Sequence, residues 1–181
     1  MTRRLLAVLA AATLAAAPTA LRAQGSTSIL VSGGLSIPVG DLSDGANSGY
    51  NVNVGLNFGA PIIPVGARIE GGLNSFNLKG GGGDVRMVSG TANAILNLGP
   101  TSAAPYLIGG LGIYNRRISS TFAGITSADT KNVAGVNIGG GLRFPLGALS
   151  TFVEARYHAM LGNTNEATKF QFIPITFGVS F

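Results

Sequence analysis

Tyr50, Val52, Val54, Leu56 and Phe58 alternate with Asn51, Asn53, Gly55, Asn57 and Gly59. A two-residue period is that of a β-strand, whose successive side chains point to opposite faces. This segment therefore has one apolar face and one small, polar face. The preceding stretch repeats it, with Ile29, Val31, Leu35, Ile37 and Val39 against Ser28, Ser32, Gly34 and Ser36. Similar runs follow at Val65 to Phe76, Val85 to Leu98, Tyr106 to Asn115, Val133 to Phe144, Thr151 to Leu161 and Phe170 to Phe181. The pattern predicts eight strands and no helix.

The connections alternate too. Short Pro-containing turns, Ala60 to Pro64, Gly99 to Pro105 and Pro145 to Ser150, follow every second strand. The others are polar loops: Gly40 to Gly49, Asn77 to Asp84, Arg116 to Asn132 and Gly162 to Lys169. Short turns at one end and longer loops at the other match a barrel that spans the outer membrane. A soluble cup of the lipocalin kind has the same strand count but needs a charged exterior. Here only 10% of residues are charged and 28 are Gly, and the polar faces are mostly Gly, Ser, Asn and Thr. Such residues suit a narrow lumen, so the apolar faces are assigned to lipid. The fold class is all-β, an eight-stranded antiparallel up-and-down transmembrane β-barrel.

Met1 to Ala23 has a different pattern. Arg3 and Arg4 precede the apolar run Leu5 to Ala17, and small residues follow around Pro18, Ala20 and Ala23. That is the layout of a secretory signal peptide, with cleavage expected after Ala23. The chain thus divides into a signal peptide, 1–23, and a barrel domain, 24–181. Losing Arg3, Arg4 and Arg22 lowers the net charge from +5 to +2, which removes the case for nucleic acid as a partner. With no Cys, disulfides cannot hold the secreted chain, so barrel closure must stabilise it instead.

Ten of the aromatics lie near predicted strand ends: Tyr50, Phe58, Phe76, Tyr106, Tyr114, Phe144, Phe152, Phe170, Phe172 and Phe181. Two girdles at the membrane interfaces are expected from them. Pro38 and Pro174 fall in the two strands that must pair to close the barrel. Since proline removes a ladder donor, an irregularity is expected at the outer end of that seam.

At the C terminus Ile173, Ile175, Phe177, Val179 and Phe181 share one face. This row, with Phe177, Val179 and Phe181 at its end, resembles the assembly signal of bacterial outer-membrane barrels. Together with Pro105 to Gly112, Gly139 to Phe144 and Val153 to Tyr157, the chain is similar to the small barrel family typified by outer-membrane proteins A and X. The resemblance implies an integral outer-membrane location in the cell envelope and recognition by the barrel assembly machinery. It also implies contact with outer-membrane lipids and lipopolysaccharide, and a monomer. Members of the longer type add a peptidoglycan-binding domain of about 100 residues. Ending in the eighth strand, the chain is not expected to anchor to the cell wall.

Parity places six ionisable residues in the lumen: Arg68, Glu70, Arg143, Glu154, Arg156 and His158. Charges there are costly unless paired, so a network joining Arg68 and Glu70 to Glu154, Arg156 and Arg143 is expected to close the lumen. His158 is expected to hydrogen-bond near Glu154 and Arg156. Barrel deacylases of lipid A use a His, a Ser two positions later and a downstream Glu; here the stretch is His158-Ala159-Met160 with Glu166 beyond. A thioether is no nucleophile. Gly80 to Gly83 and Gly139 to Gly141 lack the strand-turn-helix context of a phosphate loop. Asp41, Asp44 and Gly45 lack the bidentate Glu of a calcium loop. No cofactor, metal or catalytic residue is assigned.

The expected function is accordingly structural or surface-interacting, with the Arg116 to Asn132 loop as the contact region. Arg116, Arg117 and Lys131 outnumber Asp129 there, which suits anionic lipopolysaccharide. A small channel or a conduit for hydrophobic molecules at the proline-marked seam is the alternative, and a lipid A-modifying enzyme stands behind it.

Overall fold

The computed structural model describes residues 26–59, 64–99, 103–122, 125–147, 149–161 and 170–181. The segment 1–23 and the connection from Gly162 to Lys169 lie outside the described residues. Eight strands follow in chain order: β1 (Ser26–Val39), β2 (Gly49–Gly59), β3 (Val65–Asn77), β4 (Gly83–Asn97), β5 (Ala104–Phe122), β6 (Ile125–Leu146), β7 (Leu149–Met160) and β8 (Gln171–Ser180). Each pairs antiparallel with the next, and β1 pairs with β8, so the sheet closes into a barrel. Closure satisfies every strand from both sides, as a hydrocarbon surround demands.

The two-residue period sorts the faces. Val52, Ile69, Leu111, Ile138 and Phe177 are at least half exposed on the outside, whereas Ser36, Asn51, Asn53 and Thr176 are buried within. Among the described residues no helix is long and apolar enough to cross a membrane, so any crossing is made by the strands.

Four expectations need correction. The polar segment from Arg116 to Asn132 is no loop: β5 and β6 pair without a break from Ala104↔Arg143 to Phe122↔Ile125. Its Ile and Thr residues favour strand even where little is apolar, because a branched Cβ fits the pleat. The barrel thus carries a tall β-hairpin at the loop end.

Second, the β1–β2 connection contains a single helical turn, α1 (Asp41–Gly45), which carries Leu42 to a buried position. Backbone bonds from Asn47 to Asn77 (2.8 Å) and from Lys79 to Gly45 (2.9 Å) tie this connection to the β3–β4 hairpin. In that hairpin Gly80, Gly81 and Gly82 all have φ near +80°, a conformation that glycine adopts readily, so the run makes a turn.

Third, six of the ten aromatics assigned to girdles lie inside the barrel. Phe76, Tyr106, Tyr114, Phe152, Phe170 and Phe172 are buried, while Tyr50 and Phe58 do face outward. Closeness to a strand end does not decide a face, but parity does. Tyr106 and Tyr114 share theirs with Gly110 and Gly112, and Phe152 shares its own with Glu154.

Fourth, the β1–β8 seam runs regularly past both prolines, from Leu30↔Ser180 to Val39↔Gln171. The irregularity lies one seam away. Between β7 and β8 the register runs to Ala155↔Ile175 and resumes only at His158↔Phe172, skipping the level of Pro174. Phe181 exchanges both backbone bonds with Ile29 of β1, and the Phe170 carbonyl accepts from Met160 on the β7 side, so by alternation the nitrogen of Pro174, which has no hydrogen, faces β7.

Candidate functional site in the barrel lumen

In an eight-stranded barrel β3 and β7 stand on opposite walls and run in the same direction. β3 presents Arg68-Ile69-Glu70 and β7 presents Glu154-Ala155-Arg156, the same two charges in reversed order. A spacing of two keeps both members of each pair inward. The reversal sets opposite charges level across the lumen. Arg68 Nη1 donates to Glu154 Oε2 at 2.8 Å, and Arg156 Nη2 donates to Glu70 Oε1.

Contacts within each strand complete a ring. Arg68 Nη1 lies 3.6 Å from Glu70 Oε2, and Arg156 Nε lies 2.7 Å from Glu154 Oε1, an ion pair without hydrogen-bond alignment. All four side chains are 5% exposed or less. Unpaired, any of them would carry a desolvation cost of several kcal/mol (roughly, for a buried ion after relaxation). Four alternating charges meet that cost together.

Neighbouring polar groups fix the ring in place. Tyr106 donates its hydroxyl to Glu154 Oε2 at 2.7 Å, and Arg68 Nε donates to Asn57 Oδ1 at 2.8 Å. The Arg68 guanidinium also lies 5.3 Å from the Phe152 ring centroid, within cation–π range.

The other two lumen residues stand apart from the ring. Arg143 donates to Asn97 Oδ1 at 3.2 Å and lies 5.2 Å from the Tyr106 ring centroid, one layer nearer the short turns. His158 meets Tyr114 instead of Glu154, with Nδ1 2.8 Å from the hydroxyl, and stacks on Phe172 at 4.8 Å. Sequence reasoning missed both aromatic partners. Their parity was the available signal.

Towards the loop end the lumen changes character. A polar ladder comes first, in which Ser36 Oγ donates to Asn74 Oδ1 at 2.7 Å and Thr176 Oγ1 to Asn51 Oδ1 at 3.2 Å. An apolar cluster of Phe76, Val85, Met87, Tyr114, Met160, Phe170 and Phe172 follows, covered by Leu42 and Ala46. Arg116 is buried with its guanidinium 4.0 Å from the Phe170 ring centroid, so it is unavailable to a surface anion. Arg117, one residue on, is exposed.

Two positions after His158 stands Met160, which belongs to the apolar cluster, and Glu166 lies outside the described residues. Among the described residues no three His, Cys, Asp or Glu are grouped to hold a metal ion. Outward-facing Phe177 is exposed in the row with Ile173, Ile175, Val179 and Phe181.

The fold is shared with small barrels of known structure. The chain is similar to Neisserial surface protein A, with 17% identity and a TM-score of 0.65 over 87% of this chain and 98% of that one. The N-terminal barrel of Pseudomonas aeruginosa OprF gives 16% identity and a TM-score of 0.51 over 87% of this chain and 100% of that one. Ail, the attachment invasion locus protein of Yersinia pestis, gives 16% and 0.52 over 87% and 98%. No curated protein sequence matches. The family described as "Outer membrane protein beta-barrel domain" matches residues 5–181, nearly the whole length, and the chain belongs to that family.

Proposed function

We propose that this chain is an integral protein of the bacterial outer membrane, exported by its N-terminal leader, in which a closed barrel serves as a rigid frame for surface interaction. The observation that carries the reading is the Arg68–Glu154–Arg156–Glu70 ring, which joins opposite walls across the lumen. A lumen of eight strands is nearly filled by side chains in any case. The apolar cluster under Leu42 adds a second barrier at the loop end. What is left for interaction is the exterior and the projecting β5–β6 hairpin. Beyond the Asn115↔Asn132 pair this hairpin continues for seven more paired residues on each strand. The Yersinia protein is named for attachment, which accords with a surface role for a barrel of this fold. Outward Phe177, Val179 and Phe181 are the proposed contact for the assembly machinery, and the barrel acts as a monomer without a cofactor.

Planar bilayers test the closed lumen. The purified protein is expected to give no steady conductance, and steady, ion-selective current that changes on Arg68→Ala would overturn the reading. Enzymatic action on lipid A has little support, because His158 faces the lumen beside Tyr114 and no fatty acid release is expected. A conduit for hydrophobic molecules has one observation in its favour, the skipped β7–β8 pairs, and uptake of an apolar dye by vesicles holding the protein would favour it.

A further inference from the structure

Four inward residues stand in register across four adjacent strands: Asn93 on β4, Gly110 on β5, Asn137 on β6 and His158 on β7. The row lies between the two barriers of the lumen. Arg156, two residues before His158, belongs to the charge ring. Tyr114 and Phe172, which hold the His158 ring, belong to the apolar cluster.

Asn93, Asn137, Arg156 and His158 are each 5% exposed or less, yet the protein does not serve all their polar atoms. Asn93 Nδ2 donates to Thr91 Oγ1 at 2.9 Å, while its Oδ1 receives no donor. Asn137 has a protein partner at neither Oδ1 nor Nδ2. His158 engages Tyr114 through Nδ1 and leaves Nε2 open, and Arg156 leaves Nη1 open. On β2, by contrast, Asn51 and Asn53 are bonded to Leu35, Ser32 and Thr176.

Gly110 provides room between the two asparagines. Asn93 Oδ1 is turned towards it, 2.5 Å from where a Cβ would stand. Buried polar groups without a protein partner are served by ordered water, which takes about two to four polar partners per molecule. The row offers acceptors at both asparagines and donors at Asn137 and Arg156, a mixture that fits a ligand able both to donate and to accept. A cation would stand beside the Arg156 guanidinium, and an anion would meet two amide oxygens, so an ion fits less well than water.

We infer that the row Asn93–Gly110–Asn137–His158 is an internal water site. One molecule over Gly110 links Asn93 Oδ1 to the Asn137 amide, and a second joins Asn137 to His158 Nε2 and Arg156 Nη1. Bound water thereby ties the charge ring to the apolar cap. The inference rests on the closed lumen proposed above, since water stays only where both ends are sealed.

NMR of the purified full chain in micelles tests it, with solvent water as the probe. The side-chain amide protons of Asn137 are expected to show NOE and ROE cross-peaks to water of opposite sign, the mark of a long-lived bound molecule. Tyr114→Phe removes the hydroxyl bonded to His158, which could relay magnetisation from solvent, and the cross-peaks should persist in that variant. Their absence from the parent, or their loss in Tyr114→Phe, would overturn the site. Asn137→Leu gives a second arm, read as the urea midpoint of unfolding from lipid vesicles. In a dry lumen this change removes two unpartnered polar atoms and raises the midpoint, whereas loss of bonded water is expected to lower it. A midpoint unchanged or raised would count against the site, and should Asn137→Leu misfold, the cross-peaks of the parent still decide. Steady current through the parent in planar bilayers would remove the closed lumen on which the site rests. No current together with no cross-peak would remove the site alone.

Discussion

Tyr106 donates its hydroxyl to Glu154 Oε2 at 2.7 Å along the lumen wall, its ring lying over Gly141 of β6, which is in register with both residues. One residue thus couples the charge ring to the packing of the barrel wall. Tyr106→Phe removes the bond and leaves Glu154 with its two arginines. The expected cost is about 1–2 kcal/mol, the range for losing one bond to a buried charge that keeps other partners. Urea unfolding of the barrel refolded into lipid vesicles measures it.

Gly141 is small because Tyr106 lies over it. A Cβ there would fall 2.6 Å from both Cζ and Oη of Tyr106 and 2.6 Å from the Val153 carbonyl oxygen. Part of that clash is with backbone, which cannot swing away. Gly141→Ala is expected to destabilise by about 1–3 kcal/mol, as overpacking does. Combining it with Tyr106→Ala should relieve only the ring's share, so the double variant remains less stable than Tyr106→Ala alone in the same unfolding experiment.

The reversed charge order on opposite walls makes a sharper prediction. Arg68→Glu with Glu70→Arg sets like charges level across the lumen, and failure to fold is expected because a broken buried pair alone costs about 3–5 kcal/mol. Reversing the other wall as well, with Glu154→Arg and Arg156→Glu, restores opposite charges at both levels. Folding should return in the fourfold variant, read as the heat-modifiable band on a gel. If neither the single-wall nor the fourfold reversal alters folding, the ring is not what joins the walls.

Strand number, direction and facing were legible because a period of two is a strong signal in a wall with lipid on one side. The same parity was enough to place Arg68, Glu70, Glu154 and Arg156 inside. Partners were harder. That β3 and β7 meet across the lumen depends on closure, so the reversed order of their charges acquires meaning only once the barrel is assembled. Arg143 and His158 were assigned to the ring by parity alone, but height along the strand decides contact, and each lies at a different level. The β5–β6 hairpin looks like a loop in sequence because its Ser and Thr resemble loop composition and its polar run lacks the apolar alternation that marks a half-buried strand. Leu42 gave no signal either, since one apolar residue in a polar connection has no periodicity.

Leu42 nevertheless closes the loop end of the lumen, 4% exposed against an apolar cluster. Leu42→Ala is expected to cost about 2–3 kcal/mol, the lower part of the range for a buried leucine, because a short connection can settle into the gap. The effect should be local as well as global. The amides of Asn47 and Lys79, which donate to Asn77 and Gly45, are expected to exchange faster with deuterium while those of β2 and β7 do not. Uniform acceleration throughout the barrel would show that α1 is not a separable cap.

Pro174 explains the skipped pairs between β7 and β8. The register on either side, Ala155↔Ile175 and His158↔Phe172, sets Arg156 opposite Pro174 without any shift, so no residue is bulged and only a donor is missing. Pro174→Ala supplies that donor towards β7. Two terms oppose each other: a new ladder bond contributes about 0.5–1.5 kcal/mol, and freeing the unfolded chain costs about 0.4–1 kcal/mol. Stability should consequently stay within about 1 kcal/mol of the parent by the difference of those terms. Amide exchange followed by NMR in micelles decides the cause, because the amide that Pro174→Ala introduces is expected to be as protected as that of Ile175. Free exchange of the introduced amide would mean that the bulk of Arg156 and Tyr157, and not the proline, holds the two strands apart at this level.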